Sequence, residues 1–123
     1  MRVLVVEDEP LIRMLMVEIL AAAGFDILEA ASGPEACRLI EDPNHVDLVV
    51  TDLNMPQADG ITVANRARKH SPNVPVLFVS ARSDLLASLS APRPYSYLTK
   101  PFSMEELATA VARLLNPPGA QHH

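Results

Sequence analysis

The sequence predicts a single α/β domain in which a doubly wound sheet of five parallel strands carries helices on both faces. Three observations support this fold class. The chain of 123 residues has room for one domain and little else. Hydrophobic residues make up 49% of it, which is enough for a packed core. Short apolar runs alternate with stretches of helical periodicity, as in βα units around a parallel sheet.

The strands are predicted from short runs of consecutive apolar residues, which are typical of strands buried on both faces of a parallel sheet. The first, third and fourth runs are pronounced, and the second and fifth are weaker. The five predicted strands cover residues 3–6, 25–30, 46–50, 74–79 and 95–98.

The helices are predicted between and after the strands. The first covers residues 10–23, and Gly24 follows it where a capping glycine belongs. Ser103 and Glu106 form a capping box that opens the last helix, which ends before Asn116. The other three cover residues 33–41, 59–69 and 83–90. The predicted core face of the first helix consists of Ile12, Leu15, Met16, Ile19 and Ala23.

Charge, cysteine content and hydropathy exclude several functions. The chain has 10 Lys+Arg against 15 Asp+Glu, and a net charge of −5 disfavours direct nucleic-acid binding. Cys37 is the single cysteine, which excludes an internal disulfide and a cysteine zinc site. The longest apolar stretch, residues 11–25, is broken by Arg13 and Glu18 and is too short for a membrane span. We therefore predict a cytoplasmic protein without membrane contact.

Polar side chains follow four of the five predicted strands at the point where each strand ends. They are Glu7 and Asp8 after the first, Asp52 and Asn54 after the third, Ser80 after the fourth and Lys100 after the fifth. Open parallel sheets bind ligands beyond this edge. Three carboxylates gathered there would repel one another unless a cation neutralised them, and Mg²⁺ suits an all-oxygen site.

A metal ion, a lysine and a hydroxyl around one aspartate would form a socket for a phosphoryl group. The Asp52 carboxylate could act as a nucleophile and form an acyl phosphate. Mg²⁺ and Lys100 would stabilise the charge on the transferring oxygens. The strand ends therefore predict phosphoryl transfer to Asp52.

Each of these residues also has a simpler structural interpretation. Asp8 is equally well explained as an N-cap before the first helix. Ser80 and Lys100, taken alone, are a strand-end hydroxyl and a surface lysine. Asp52 is harder to explain structurally, because a carboxylate that ends an apolar strand is costly unless it is used or paired.

The chain resembles a response-regulator receiver domain, the phosphoacceptor half of bacterial two-component signalling. The resemblance extends from residue 2 to about residue 115 and implies a flavodoxin-like (βα)5 fold with strand order 2-1-3-4-5. It depends on five stretches that occur in this order and spacing, namely VLVVEDE at 3–9, DLVVTDLNMP at 47–56, DG at 59–60, VSA at 79–81 and KPF at 100–102.

The resemblance implies a role for each polar residue. Asp52 would be the phosphorylation site, and Mg²⁺ would be held by Glu7, Asp8, Asp52 and the backbone carbonyl of Asn54.

Ser80 and Lys100 would bind the phosphoryl oxygens. Tyr97 would turn inward when Ser80 moves toward the phosphate, although it could equally pack at the sheet edge. The peptide bond between Lys100 and Pro101 would be cis.

The implied function is a signalling switch and not an enzyme with its own substrate. A sensor histidine kinase or a phosphotransfer protein would phosphorylate Asp52, and the change in conformation would control an unidentified output protein. The domain is predicted to cover residues 1–116. A flexible tail, residues 117–123, would follow and end in His122 and His123, which resemble the remnant of a purification tag. We expect a monomer or a weak homodimer.

The start directly in a strand, with no effector domain after it, favours a stand-alone receiver. A receiver excised from a hybrid kinase or from a longer DNA-binding regulator is the alternative. An aspartate-nucleophile phosphatase is an alternative of another class, but such enzymes use Asp-x-Asp, and Asn54 cannot protonate a leaving group. A pure interaction module is disfavoured by the complete site.

Two further features concern partners. On the first helix, Met14, Val17 and Ala21 are predicted to lie opposite the core face and, with Pro101, to dock the kinase's helical bundle. Residues 91–94 (APRP) depart from the family pattern. Their prolines would stiffen the approach to the fifth strand, beside a short fourth helix on the face that receivers use for output.

Overall fold

The computed structural model of the protein describes residues 1–41, 45–55, 59–88 and 93–116. Strands and helices alternate along the chain. The strands are β1 (Arg2–Val6), β2 (Asp26–Ala30), β3 (Leu48–Asp52), β4 (Val76–Ser80) and β5 (Tyr95–Thr99). The helices are α1 (Pro10–Ala22), α2 (Gly33–Glu41), α3 (Gly60–His70), α4 (Ser83–Ala87) and α5 (Met104–Leu115).

The five strands form one parallel sheet in the order β2-β1-β3-β4-β5. This confirms the predicted fold class and the strand order that the resemblance implies. The winding reverses between β1 and β3, which lie side by side, and this is where ligands bind in sheets of this kind.

The core has two layers, one on each face of the sheet. On one face, Leu4 and Phe78 belong to the layer that packs against α2, α3 and α4. On the other face, Val5 and Leu77 belong to the layer that packs against α1 and α5. All residues of β3 and β4 are buried, which explains their continuous apolar sequences.

The prediction for the core face of α1 was partly wrong. The helix buries Met16, Ile19 and Leu20. Leu15 is 45% exposed, and Ala23 is exposed after the helix end. The reason is that α1 packs on the sheet beside α5, so the buried stripe is centred on Met16 and Leu20. Periodicity alone does not show where that stripe is centred.

The predicted boundaries of two strands were displaced. The prediction placed β3 at residues 46–50 and β4 at residues 74–79, whereas these strands cover Leu48–Asp52 and Val76–Ser80. Val46 and Val74 are buried but precede the hydrogen-bonded ladder, because apolar burial begins before strand pairing does. Asp52 and Ser80 are therefore the last residues of their strands.

Helix capping agrees with the sequence for α5. Ser103 Oγ accepts from Glu106 N at 3.0 Å, and Glu106 Oε1 accepts from Ser103 N at 2.9 Å.

The helix α4 ends at Ala87, short of the predicted residue 90. The predicted tail at 117–123 and the first half of the proline segment, residues 91–92, lie outside the described residues. In the part of the chain that the structure describes, no helix has the length and apolar character to cross a membrane.

Candidate functional site

Three carboxylates meet at the edge of the sheet where β1 and β3 end. Glu7, Asp8 and Asp52 each place one oxygen within 4.8 Å of the others. The parallel pairing of Val6 with Thr51 brings the residues that follow β1 beside the end of β3. Glu7 and Asp52 are buried, whereas Asp8 is exposed. The acid cluster therefore has a buried floor and one carboxylate open to solvent.

Lys100 joins the two buried carboxylates. Its Nζ lies 2.6 Å from Glu7 Oε1 and 3.0 Å from Asp52 Oδ2. The lysine follows β5, and its backbone N donates to Ser80 O at 2.8 Å. The peptide bond between Lys100 and Pro101 is cis, as the resemblance implies. One ammonium thus compensates two acids that come from other strands.

Burial and charge act against each other at Glu7 and Lys100. Burial raises the pKa of the Glu7 carboxyl, and the charge of Asp52 adds to the increase, while Lys100 and the Glu9 N–H oppose it. For Lys100, burial favours a lower pKa, but the contacts with Glu7 and Asp52 outweigh burial and raise the pKa. Lys100 is therefore positively charged at neutral pH.

The donor set fits a divalent cation such as Mg²⁺. When ionised, three carboxylates and one ammonium leave a formal charge of −2 in the acid cluster. Among the described residues, Glu7 Oε1 is buried without a hydrogen-bond partner of good geometry, and its close contact with Lys100 is an ion pair. Asn54 N donates to Asp52 Oδ1 at 3.1 Å, which folds the loop after β3 beside the cluster. Oxygen ligands of this kind suit Mg²⁺.

Ser80 and Tyr97 lie on the neighbouring strands. Ser80 is buried at the end of β4, and its Oγ accepts from Arg82 N at 3.0 Å. Tyr97 is 52% exposed, in register with Phe78 of β4. Its ring therefore takes an outward position at the edge of the sheet.

Gly60 is a site residue whose importance sequence reasoning missed, apart from its place in the DG motif. A Cβ atom at residue 60 would lie 2.6 Å from Asp52 O. Gly60 N donates to Leu53 O at 3.0 Å, and Asp59 caps α3 by accepting from Thr62 N. Helix α3 thus begins in close contact with the backbone of Asp52. The DG motif could have indicated this contact, because it places a helix cap directly before a residue without a side chain.

An apolar groove of about 320 Å³ adjoins the acid cluster. It is lined by Ile12, Leu15, Ala81, Lys100, Pro101 and Phe102.

Leu11 and Met14 are exposed on the same helix as Leu15. The predicted docking strip needs a correction, because Val17 is half-buried and packs against the core. The exposed large apolar residues of α1 are instead Leu11, Met14 and Leu15, near the start of the helix. Ala21 is exposed as predicted, but it lies near the other end of the helix, away from the groove.

Comparison with known proteins identifies the family. The family model of the response regulator receiver domain matches residues 3–112. The chain is 41% identical over 116 residues to sensor kinase CckA of Brucella abortus (strain 2308), covering 92% of this chain and 12% of that protein. It is 43% identical over 116 residues to the uncharacterized transcriptional regulatory protein YrkP of Bacillus subtilis (strain 168), covering 92% and 49%. The chain therefore spans half the length of these curated relatives or less.

Solved structures agree with this result. A response regulator receiver protein from Sinorhizobium medicae WSM419 superposes with a TM-score of 0.86 at 33% identity, covering 94% of both chains. Response regulator protein TrrA from Thermotoga maritima, solved in complex with Mg²⁺-BeF, superposes with a TM-score of 0.82 at 36% identity, covering 93% of this chain and 98% of that one. The chain belongs to the response regulator receiver domains of two-component systems, a family in which phosphorylation and Mg²⁺ are general features.

Proposed function

We propose that Asp52 accepts a phosphoryl group from a sensor histidine kinase or a histidine phosphotransfer protein, and that phosphorylation switches the domain to control an output protein. The observation that carries this proposal is the contact of Lys100 Nζ with both Asp52 and Glu7, beside the exposed carboxylate of Asp8. A carboxylate at the end of a buried strand, next to a fixed cation, has the placement of a nucleophile that can be phosphorylated.

The residues divide the chemistry between them. A carboxylate oxygen of Asp52 forms a bond to phosphorus while the P–N bond of the phosphohistidine breaks, and the electron pair of that bond goes to the imidazole nitrogen. Lys100 exchanges its contact with Asp52 for one with a phosphoryl oxygen. Glu7, Asp8, Asp52 and the backbone carbonyl of Asn54 would hold Mg²⁺. The bound ion would neutralise negative charge on the phosphoryl oxygens.

The switch depends on Ser80 and Tyr97. The Ser80 hydroxyl accepts from Arg82 N and still has its own proton to donate to a phosphoryl oxygen. A move of Ser80 toward Asp52 would open space for Tyr97, which now lies outward. Phosphorylation would then favour the inward conformation by contacts that exist in that state alone.

The donor protein would dock beside the acid cluster. The apolar groove and the exposed Leu11, Met14 and Leu15 together offer a surface that suits the helices of a kinase or phosphotransfer bundle. Pro101 lines the groove and lies next to Lys100 in the chain, so docking there brings a phosphohistidine close to Asp52.

We propose that the receiver works in the cytoplasm, as a monomer or a weak dimer, either alone or within a longer protein. The relatives named above favour the longer protein, because the matched segment is 12% of one and 49% of the other. A phosphatase is disfavoured because Asn54 stands where a second acid would be needed to protonate a leaving group.

Acetyl phosphate with Mg²⁺, followed by intact mass measurement, tests phosphorylation. We expect a phosphate-sized gain in the wild-type protein that is lost with a chelator and in Asp52→Asn. Asp84→Asn, which alters an exposed acid of α4, is the matched control and should retain the gain. No gain in the wild type, or an equal gain in Asp52→Asn, would contradict the proposal. Repeated turnover of phosphate esters would favour the phosphatase.

A further inference from the structure

Arg13 contacts the loop that carries two of the three carboxylates. Its Nη1 donates to Glu7 O at 2.8 Å, and its Nε lies 3.3 Å from Glu29 Oε1 in β2. The side chain is 20% exposed, so most of it is packed against the protein. Glu7 N, on the other side of the same residue, donates to Ala30 O at 3.1 Å. The guanidinium therefore links the loop after β1 to the edge strand.

The carbonyl that Arg13 holds belongs to the peptide between Glu7 and Asp8. Because a peptide group is planar, fixing its oxygen fixes the rotation of the whole unit and the direction in which residue 8 leaves it. The Glu7 carboxylate is held separately, since its Oε2 accepts from Glu9 N at 3.1 Å. Asp8 is exposed, so its orientation relative to Glu7 and Asp52 depends on the backbone of this loop.

We infer that Arg13 is a positioning residue for the metal site, because it holds the Glu7–Asp8 peptide and thereby aims the Asp8 carboxylate at the cation that Glu7 and Asp52 would share. This inference rests on the proposed Mg²⁺-dependent function. If Arg13 acted only through its charge, its removal would change the Mg²⁺ affinity in the opposite direction. A guanidinium near the acid cluster repels a divalent cation, so its removal would tighten Mg²⁺ binding if charge alone mattered. The effect of removing Arg13 thus distinguishes positioning from charge.

The test is calorimetric titration of the full chain with MgCl₂. For Arg13→Met we expect the dissociation constant to rise roughly tenfold, as for loss of other groups that orient metal ligands. Arg13→Lys keeps the charge but lacks the planar guanidinium that contacts both Glu7 O and Glu29. It should therefore also weaken Mg²⁺ binding. Glu29→Gln should weaken binding less, in the same direction.

Arg66→Met is the matched control, because it removes another arginine–glutamate ion pair, with Glu41 at the far end of α2. It should leave the Mg²⁺ affinity unchanged. Amide exchange gives a readout without metal, and the hydrogen-bonded amides of Glu7 and Glu9 should exchange faster in Arg13→Met at unchanged global stability. If Arg13→Met does not fold, Arg13→Lys and Glu29→Gln carry the test.

Equal or tighter Mg²⁺ binding by folded Arg13→Met and Arg13→Lys would overturn the inference while leaving the proposed function intact. If the wild-type protein itself does not bind Mg²⁺ in this titration, the proposed function is overturned instead. Equal loss in Arg66→Met would show a general effect of removing surface charge and would also refute a specific role for Arg13.

Discussion

At the scale of single residues, Lys100 determines whether the two buried acids can coexist. Buried carboxylates are tolerated when a cation or hydrogen bonds compensate them, and removal of that cation leaves an uncompensated charge. Glu7 has no exposed surface, and Lys100 Nζ contacts it at 2.6 Å. The lysine is thus a structural counter-ion before it takes part in any chemistry.

Lys100→Met should lower the free energy of unfolding by about 3 kcal/mol in a chelator, because two buried carboxylates lose their partner. Added MgCl₂ should recover part of this loss, since the ion replaces the missing charge. Urea denaturation with and without Mg²⁺ measures both effects. Lys69→Met, at the exposed end of α3, is the control and should change stability little. Equal stability of the two variants would argue against the counter-ion role.

Asp47 is a residue whose contribution should depend on pH. Its pKa is lowered mainly because Asp47 Oδ2 accepts from Arg2 N at 2.7 Å, and also because Oδ1 contacts His45. A carboxyl with a lowered pKa in the folded state stabilises the protein above its unfolded value of 3.8. That stabilisation is lost as the pH falls through the folded value.

Asp47→Asn should therefore lower the free energy of unfolding by about 1 kcal/mol at neutral pH. The difference from wild type should shrink as the pH falls below 3.8. Urea denaturation over a pH series measures it. Asp26→Asn, which breaks an exposed pair with Arg2, should have little effect at any pH. A difference that stays constant with pH would refute the charge-based explanation.

At the scale of elements, the junction of β3 and α3 connects stability to the site. The helix begins so close to the strand end that residue 60 has no room for a side chain. Asp52 is therefore held from two directions, by the ladder of β3 and by the start of α3. A change at this junction should affect the geometry of the acid cluster as well as folding.

Gly60→Ala should lower the free energy of unfolding by roughly 2 kcal/mol, because a Cβ 2.6 Å from Asp52 O forces the backbone apart. It should also slow phosphorylation by acetyl phosphate. Gly24→Ala is the matched control. Gly24 has a φ of 97° but open space around it, so the cost of about 1 kcal/mol should come without slower phosphorylation. Unchanged stability and rate in Gly60→Ala would contradict this account.

Helix α1 provides a second test at this scale. Met14→Glu combined with Leu15→Glu should slow phosphotransfer from a histidine phosphotransfer protein at least roughly tenfold, because charge is placed on the apolar docking surface. Phosphorylation by acetyl phosphate should be unchanged, since that donor needs no docking. Ala21→Glu, exposed near the far end of α1, should leave both rates unchanged. Equal rates in the double variant and wild type would exclude this surface.

For the whole molecule, a parallel sheet brings remote segments to one edge. Residues 7, 8 and 52 lie at the ends of two strands, so a cation bound among them would connect β1 with β3. The ion pairs of Lys100 already tie the end of β5 to the same cluster. A ligand that binds the folded state alone stabilises it by mass action. Stability of the entire domain should therefore report on the acid cluster.

Mg²⁺ at ten times its dissociation constant should stabilise the protein by about 1.4 kcal/mol, which corresponds to a rise in Tm of a few degrees for a domain of this size. Thermal unfolding followed by circular dichroism measures the rise, and a chelator should reverse it. Asp8→Asn should reduce it. Asp26→Asn, an exposed acid outside the cluster, should not. A Tm independent of Mg²⁺ would contradict the metal site.

The fold class, the order of the elements and the polar residues at the strand ends could all be predicted from the amino-acid sequence. These features depend on local periodicity and on short motifs, so they can be predicted without knowing what packs against what. The resemblance supplied the strand order, which the structure confirms, and the proposed roles of Asp52 and Lys100. Strand ends were less sharply defined, because apolar burial near Val46 and Val74 extends beyond the ladder.

Which side chains contact one another became known from the three-dimensional structure. It exposed Leu15, packed Val17 against the core, and placed Arg13 on the carbonyl of Glu7. It also showed the close approach of Gly60 to Asp52. Most of these contacts join segments from different parts of the chain, and their geometry depends on how each helix packs against the sheet. Local periodicity carries no information about that arrangement.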